Sequence, residues 1–169
     1  MNESPGLASM TLEEKRMLAR NCFGCGSRNP YGLHLAFEPD GHQVRTNFTP
    51  QPEHEGFPGV LHGGIIFTLM DEAMGWATYA QGIMAFSAKI ETRFRKTIPT
   101  DSPLQVLGEL VKDRGRFLQM RAEIRSQGGE LLADAEGVFV RMPEEAVQTL
   151  ERARISLIGM SQQESRAEK

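Results

Sequence analysis

Asp71 and Glu72 are two adjacent carboxylates in the middle of an otherwise apolar run, Ile65 to Ala80, which reads Ile-Ile-Phe-Thr-Leu-Met-Asp-Glu-Ala-Met-Gly-Trp-Ala-Thr-Tyr-Ala. A helix that is hydrophobic all round is a buried helix, and a carboxylate is almost never fully buried without a partner or a task. The run is preceded by Pro58-Gly59-Val60-Leu61-His62-Gly63-Gly64. A His-Gly-Gly turn at the start of a helix leaves backbone N–H groups free to hold an oxygen that carries negative charge. An acid in the middle of the helix and an anion site at its start together point to chemistry on a carbonyl.

Gly63 and Asp71 are eight positions apart, and on a helix that spacing separates them by roughly 12 Å along the axis. Groups acting on one carbonyl must lie within about 3 Å of the reacting atoms. One helix therefore does not bring both to the same substrate. A twofold dimer with the helices antiparallel does, placing the start of each helix beside the middle of the other. Composite sites at a homodimer interface, with a dimer of dimers as an extension, are the expectation.

The elements around this helix can be read in order. Residues 11–20 carry a short helix with Thr11 as N-cap and Glu14 completing a capping box. A Gly/Asn/Pro-rich turn follows at 24–32. Leu33–Glu38 and His42–Thr49 alternate around Pro39-Asp40-Gly41, a hairpin signal. The loop 50–62 leads into the helix at about 63–82. Residues 85–98, 104–113, 116–126 and 130–141 then read as four strands, the last three a meander joined by short turns, which makes them antiparallel. Glu144 to about Gly159 is helical in pattern and ends in a polar tail. The class is α+β, with a sheet of about six strands wrapped around one long helix. The divisions are an extension over 1–29, a core domain over 30–142, and a terminal helix and tail over 143–169.

Bulk properties exclude several classes. The 169 residues have a formal net charge of −3, without the basic excess of a general nucleic-acid binder. The apolar run is too short, and too acidic, for the about 18 residues of a membrane span. The first residues lack a secretory pattern, and two cysteines make no disulfide framework. A cytoplasmic protein with no nucleic-acid and no membrane partner is expected.

The chain resembles the hotdog-fold acyl-CoA thioesterases, in the branch similar to the phenylacetate-pathway thioesterases. The matching pattern is His62-Gly63-Gly64, six residues, then Asp71, with Phe67 and Leu69 between, inside the same strand order over about residues 30–142. Cys22-Phe-Gly-Cys25-Gly, Asn29-Pro30 and Gly32-Leu33 also resemble an extension found in one subgroup. The resemblance implies a hotdog fold and hydrolysis of a small or medium acyl or aroyl thioester of coenzyme A. No cofactor beyond the coenzyme A of the substrate is implied. Asp71 would be the nucleophile or the general base for water. The Gly63 N–H would polarise the thioester oxygen. Ser87 falls where relatives place a hydroxyl that positions water. Some relatives carry Asn six residues before the His; here that position is Gly56, and His54 or Glu55 would stand in. The chemistry suits so small a site. A thioester is already activated and its thiolate leaves readily, so an attacking oxygen and an oxyanion donor remain to be supplied.

Other residues admit plainer readings. His62 either caps the turn or takes part in proton transfer, and Gly64 either permits a tight turn or admits substrate. Glu72 is expected to be architectural, pairing across the interface or with a strand arginine. Cys22 and Cys25 are assigned to local packing and no metal is expected, because a structural zinc needs four ligands and there is no second Cys pair. Arg93, Arg95 and Lys96 are either a cationic rim for coenzyme A phosphates or a solvated strand face. Strict alternation places Phe86, Ala88, Ile90, Thr92 and Phe94 toward the helix and Ser87 away from it, against the role implied for Ser87 unless a bulge intervenes. The competing functions are a non-catalytic module that binds acyl-CoA or an aromatic ligand, and a hydratase, for which no clear Asp/His pair is present.

Overall fold

The structure is a computed structural model, and it describes residues 11–153 and 156. The expected tail over 1–10 and, apart from 156, the end of the last helix and the polar tail lie outside the described residues. In chain order the elements are α1 (Leu12–Leu18), β1 (Glu38–Asp40), β2 (Gln43–Phe48), β3 (Glu55–Phe57), β4 (Val60–Leu61), α2 (Gly63–Ala80), β5 (Ala85–Phe94), β6 (Leu104–Arg114), β7 (Phe117–Ser126) and β8 (Leu131–Arg141). Residues 144–153 are helical and are called α3.

Six strands form one antiparallel sheet in the order β1-β2-β6-β7-β8-β5. In β7 the residues Leu118, Met120, Ala122 and Ile124 are buried and alternate with more exposed neighbours, the pattern of a sheet with one covered face. What covers it is α2, whose Leu69, Met70, Ala73, Met74 and Trp76 are buried in one core with Val106, Leu118, Met120 and Phe139. Each buried Leu, Met, Val or Phe among these contributes about 1.5–3 kcal/mol through burial. The sheet therefore wraps the central helix, as the sequence predicts.

Helix and sheet meet most closely where β6 passes α2. A Cβ on Gly108 would sit 2.2 Å from the Ala73 carbonyl oxygen and 2.9 Å from the Ala73 Cβ. Both are on a packed helix and neither can swing aside. Gly108→Ala is expected to destabilise the protein by about 1–3 kcal/mol through overpacking, seen as a lower Tm by calorimetry. An unchanged Tm would contradict this packing.

The expected capping box of α1 is present: Glu14 N–H donates to Thr11 Oγ1 at 3.2 Å, and Thr11 N–H donates to Glu14 Oε2 at 2.8 Å. The Lys15 ammonium donates to the Tyr79 carbonyl and Arg16 donates to the Phe37 carbonyl at 2.9 Å, fastening α1 beside the end of α2. Two readings of the first hairpin region change. Leu33, Leu35 and Phe37 are buried but precede the strand proper, because Leu33 N–H and Leu35 N–H donate to the Phe23 and Gly24 carbonyls at 2.8 and 3.0 Å. The loop 50–62 also holds a small two-stranded ribbon, β3 with β4.

Candidate active site

The start of α2 is shaped by His62. Its backbone is extended (φ −63°, ψ 133°), and its Nδ1 accepts from Gly64 N–H at 2.8 Å. Ile65 and Ile66 N–H donate to the His62 carbonyl at 3.0 and 3.1 Å. Of the N–H groups in this first turn, that of Gly63 stands outside these bonds. A Cβ at Gly63 would meet only the Phe94 ring, at 3.7 and 3.8 Å, whereas one at Gly64 would press on His62 Nδ1 at 3.0 Å. Gly64 thus admits the cap, and Gly63 presents the free donor.

His62 is held in turn by the loop before it. His62 N–H donates to the His54 carbonyl at 2.8 Å, and His54 Nδ1 accepts from Gln51 N–H at 3.0 Å, with its ring centroid 5.3 Å from that of Phe48. Glu55 Oε1 accepts from Gly59 N–H at 2.9 Å. Gly56 lies against the His62 ring, where a Cβ would come within 3.1 Å of Cδ2. His54, Glu55 and Gly56 therefore lie beside the helix start, with their polar atoms engaged in shaping the loop.

Asp71 lies half-buried in a cavity of about 300 Å³, whose lining includes Ser87, Glu72, Cys22, Trp76 and Tyr79. Burial raises the Asp71 carboxyl above its ordinary value, while the Ser87 hydroxyl beside it works the other way. Ser87 reaches it because the pairing of β5 with β8 shifts between Ser87 and Lys89: Ser87 pairs with Phe139 and Lys89 with Val138, so Ala88 is the extra residue of a β-bulge. A bulge reverses the alternation, so Ser87 and Ile90 both face the helix and Phe86 turns outward, 55% exposed. The strict alternation expected for this strand fails at that point. Gly63 and His62 are not among the residues lining the Asp71 cavity. Within one chain the acid and the turn border different spaces, in keeping with their helical spacing.

Glu72 turns away from the strands toward the extension. Its Oε1 shares a hydrogen bond of 3.0 Å with Cys22 Sγ, and Cys25 closes the group. Burial pushes the Glu72 carboxyl up to about 8, and the Cys25 thiol beside it brings Cys22 down to about 5. Within the chain, the strand arginine expected as its partner is thus replaced by the Cys22–Cys25 turn. Nothing in the local sequence signals this, because the two segments are about 50 residues apart and meet only through the fold.

The basic residues at the end of β5 are partnered. Arg93 lies 3.7 Å from Glu91 and 4.0 Å from Asp134, Arg95 pairs with Asp134, and Lys96 pairs with Glu130. They form a mixed, exposed charged edge.

Residues 58–133 match the family model of the thioesterase superfamily. The chain is 28% identical over 141 residues to acyl-coenzyme A thioesterase THEM4 of Bos taurus, covering 82% of this chain and 58% of that protein. It spans about half the length of the curated relatives it matches. Among solved structures, a thioesterase superfamily protein superposes with a TM-score of 0.69 at 28% identity, covering 73% of this chain and 67% of the other. The E. coli PaaI protein from the phenylacetic acid degradation operon superposes at 0.61 with 20% identity, covering 66% and 81%, a likeness of fold alone. The fold is the hotdog fold expected from the sequence, and the residues matched by the thioesterase superfamily model include His62-Gly63-Gly64 and Asp71.

Proposed function

We propose that this chain is an acyl-CoA thioesterase that works as a homodimer with two composite sites, as its match to the thioesterase superfamily and its likeness to acyl-coenzyme A thioesterase THEM4 suggest. One observation carries the composite site. Asp71 neighbours Ser87, and Gly63 neighbours Phe94, so acid and oxyanion donor stand against opposite ends of β5. On one strand those ends are seven residues apart, roughly 23 Å. β5 is also an edge of the sheet, ten residues long and, among the described residues, paired only on its β8 side, and a long edge is a template for pairing with another chain. If β5 pairs with its own copy about a twofold axis between Ile90 and Glu91, Ser87 of one chain stands opposite Phe94 of the other. Asp71 then meets Gly63 of the partner subunit. Phe57, Phe67 and Phe94 are exposed, and the Phe94 ring stands against Gly63, where such an interface would cover it. Phe86 and Phe117, exposed on the outer sheet face, suit a dimer of dimers.

In the proposed reaction the Gly63 N–H donates to the thioester oxygen as negative charge builds on it. Asp71 either takes a proton from a water whose oxygen attacks the carbonyl carbon, or attacks that carbon itself to form a mixed anhydride that water hydrolyses once the thiolate has left. The carbon–sulfur bond then breaks and the coenzyme A thiolate leaves. Ser87 orients the carboxylate or its water. Trp76, Tyr79 and Phe139 on the cavity wall suit a small or medium acyl or aroyl group. Arg93, Arg95 and Lys96 would meet coenzyme A phosphates by exchanging their present carboxylate partners. No described helix is long and apolar enough to cross a membrane; with its cysteines unbridged, we place the enzyme in the cytoplasm.

The test is thiol release from a panel of acyl-CoA esters by the purified protein. Turnover of at least one ester supports the reading. Binding of acyl-CoA without thiol release would instead make the chain a binding module. The pH profile gives a second check. A carboxylate that attacks or abstracts a proton must be ionised, so kcat/KM rises with pH through the Asp71 pKa. Because burial raises that pKa, the midpoint is expected above the ordinary aspartate value of about 3.9. Ser87→Ala removes a hydroxyl that favours the ionised form, so the acid limb is expected to move to higher pH. A limb that stays put or moves down would remove Ser87 from the site.

A further inference from the structure

Cys22, Cys25 and Glu72 form a second constellation that the proposed reaction does not use. Both sulfurs and one carboxylate oxygen lie within 4.8 Å of one another, with Cys25 buried and the other two partly so. The turn that carries the cysteines is pinned on both sides. Gly26 N–H donates to the Cys22 carbonyl at 3.0 Å, and Leu33 and Leu35 donate to the carbonyls of Phe23 and Gly24. Gly24 is where Glu72 enters: a Cβ there would overlap Glu72 Cγ at 2.3 Å and Cδ at 2.4 Å. The turn is therefore built around the Glu72 side chain. Residue spacing alone offers two metal ligands; the fold adds a third, from the central helix.

We propose that Cys22, Cys25 and Glu72 bind a thiophilic divalent cation of the zinc class, with a fourth coordination position open to the Asp71 cavity. Two thiolates and a carboxylate are a donor set suited to zinc, and three protein ligands with one open position is the arrangement of sites that exchange a water or ligand. A tetrahedral centre with sulfur ligands at about 2.3 Å holds the two sulfurs about 3.8 Å apart. Donor atoms already within 4.8 Å of each other have their sulfurs at most about 1 Å farther apart than that geometry asks. Cys22, Cys25, Asp71 and Glu72 line the same cavity, which supplies both an entry path and the open position. The ion would clip the extension to the helix that carries Asp71. This inference does not rest on the thioesterase reading, since it concerns binding and not turnover.

The test is a cobalt(II) titration of the full chain, reduced and freed of metal by a chelator. The expected result is a thiolate-to-cobalt charge-transfer band that saturates at one equivalent per chain and is abolished by zinc. Cys22→Ser and Cys25→Ser are each expected to remove the band, and Glu72→Gln to weaken binding by about tenfold or more. Zinc should also raise the Tm of the wild type and not that of Cys22→Ser, as follows from binding to the folded state. If the serine variants fail to fold, alkylation of the wild-type thiols by iodoacetamide answers the same question, because bound zinc should slow it. Absence of the band in the wild type, or its survival in a folded variant lacking both cysteines, would overturn the proposal. Neither outcome bears on thiol release from acyl-CoA.

Discussion

Asp71→Asn is expected to lower kcat for acyl-CoA hydrolysis by about 10²–10⁴-fold, the range supplied by a positioned acid or base, while the protein stays folded. The amide has nearly the size and shape of the carboxylate it replaces. It keeps a carbonyl oxygen able to accept from Ser87, but it can neither attack a thioester nor take a proton from water. Because Asp71 lies in a cavity and is partly desolvated, loss of its charge removes an unfavourable burial, so Tm should hold or rise. Activity falling while Tm holds separates a chemical role from a structural one. Glu72→Gln provides the contrast, since Glu72 faces Cys22 and should cost far less in kcat. If Glu72→Gln abolished turnover and Asp71→Asn spared it, the assignment of the two acids would be reversed.

Gly63→Pro is expected to lower kcat by about 10²–10³-fold, the cost of losing one oxyanion donor. Proline removes the N–H and does so at the helix position that tolerates it best, the first. The residue before a proline must be extended, and His62 already is, at φ −63° and ψ 133°. The helix should therefore survive, which circular dichroism can verify. The same variant tests the shared site. When Gly63→Pro and Asp71→Asn chains are co-expressed, each heterodimer has one site with both lesions and one with neither. Random pairing then restores about one quarter of wild-type activity, although each parent alone is nearly inactive. Absence of restoration in verified heterodimers would place acid and donor within one chain and dispose of the composite site.

The legible part of the molecule was its local chemistry. The apolar run around Asp71 announced a buried helix, and α2 spans Gly63–Ala80. Thr11 and Glu14 announced a capping box, and both of its hydrogen bonds are present. Turn residues and alternation announced the strands from β5 to β8, because period-two burial is written directly into a strand. The illegible parts lay where two distant segments meet or where one residue is added to a regular pattern. The bulge at Ala88 turns Ser87 toward Asp71, yet residues 85–94 read as an unbroken strand. Strand pairing is set by the partner strand, and β8 is some 50 residues away. The ribbon of β3 and β4 is held by only a few pairs, too short for any periodicity to register.

By itself, then, the sequence determined the elements and the distance between its two chemical features: helical rise separates Gly63 from Asp71 whatever the surrounding fold. Only the tertiary structure decided their company. It gave Asp71 a hydroxyl, gave Glu72 a pair of sulfurs, and left Gly63 beside Phe94 at the far end of an open strand. The physical reason is range. Propensity, capping and periodicity act over a few residues, whereas burial, hydrogen-bond partners and ligand geometry depend on packing between segments that the chain alone does not make neighbours.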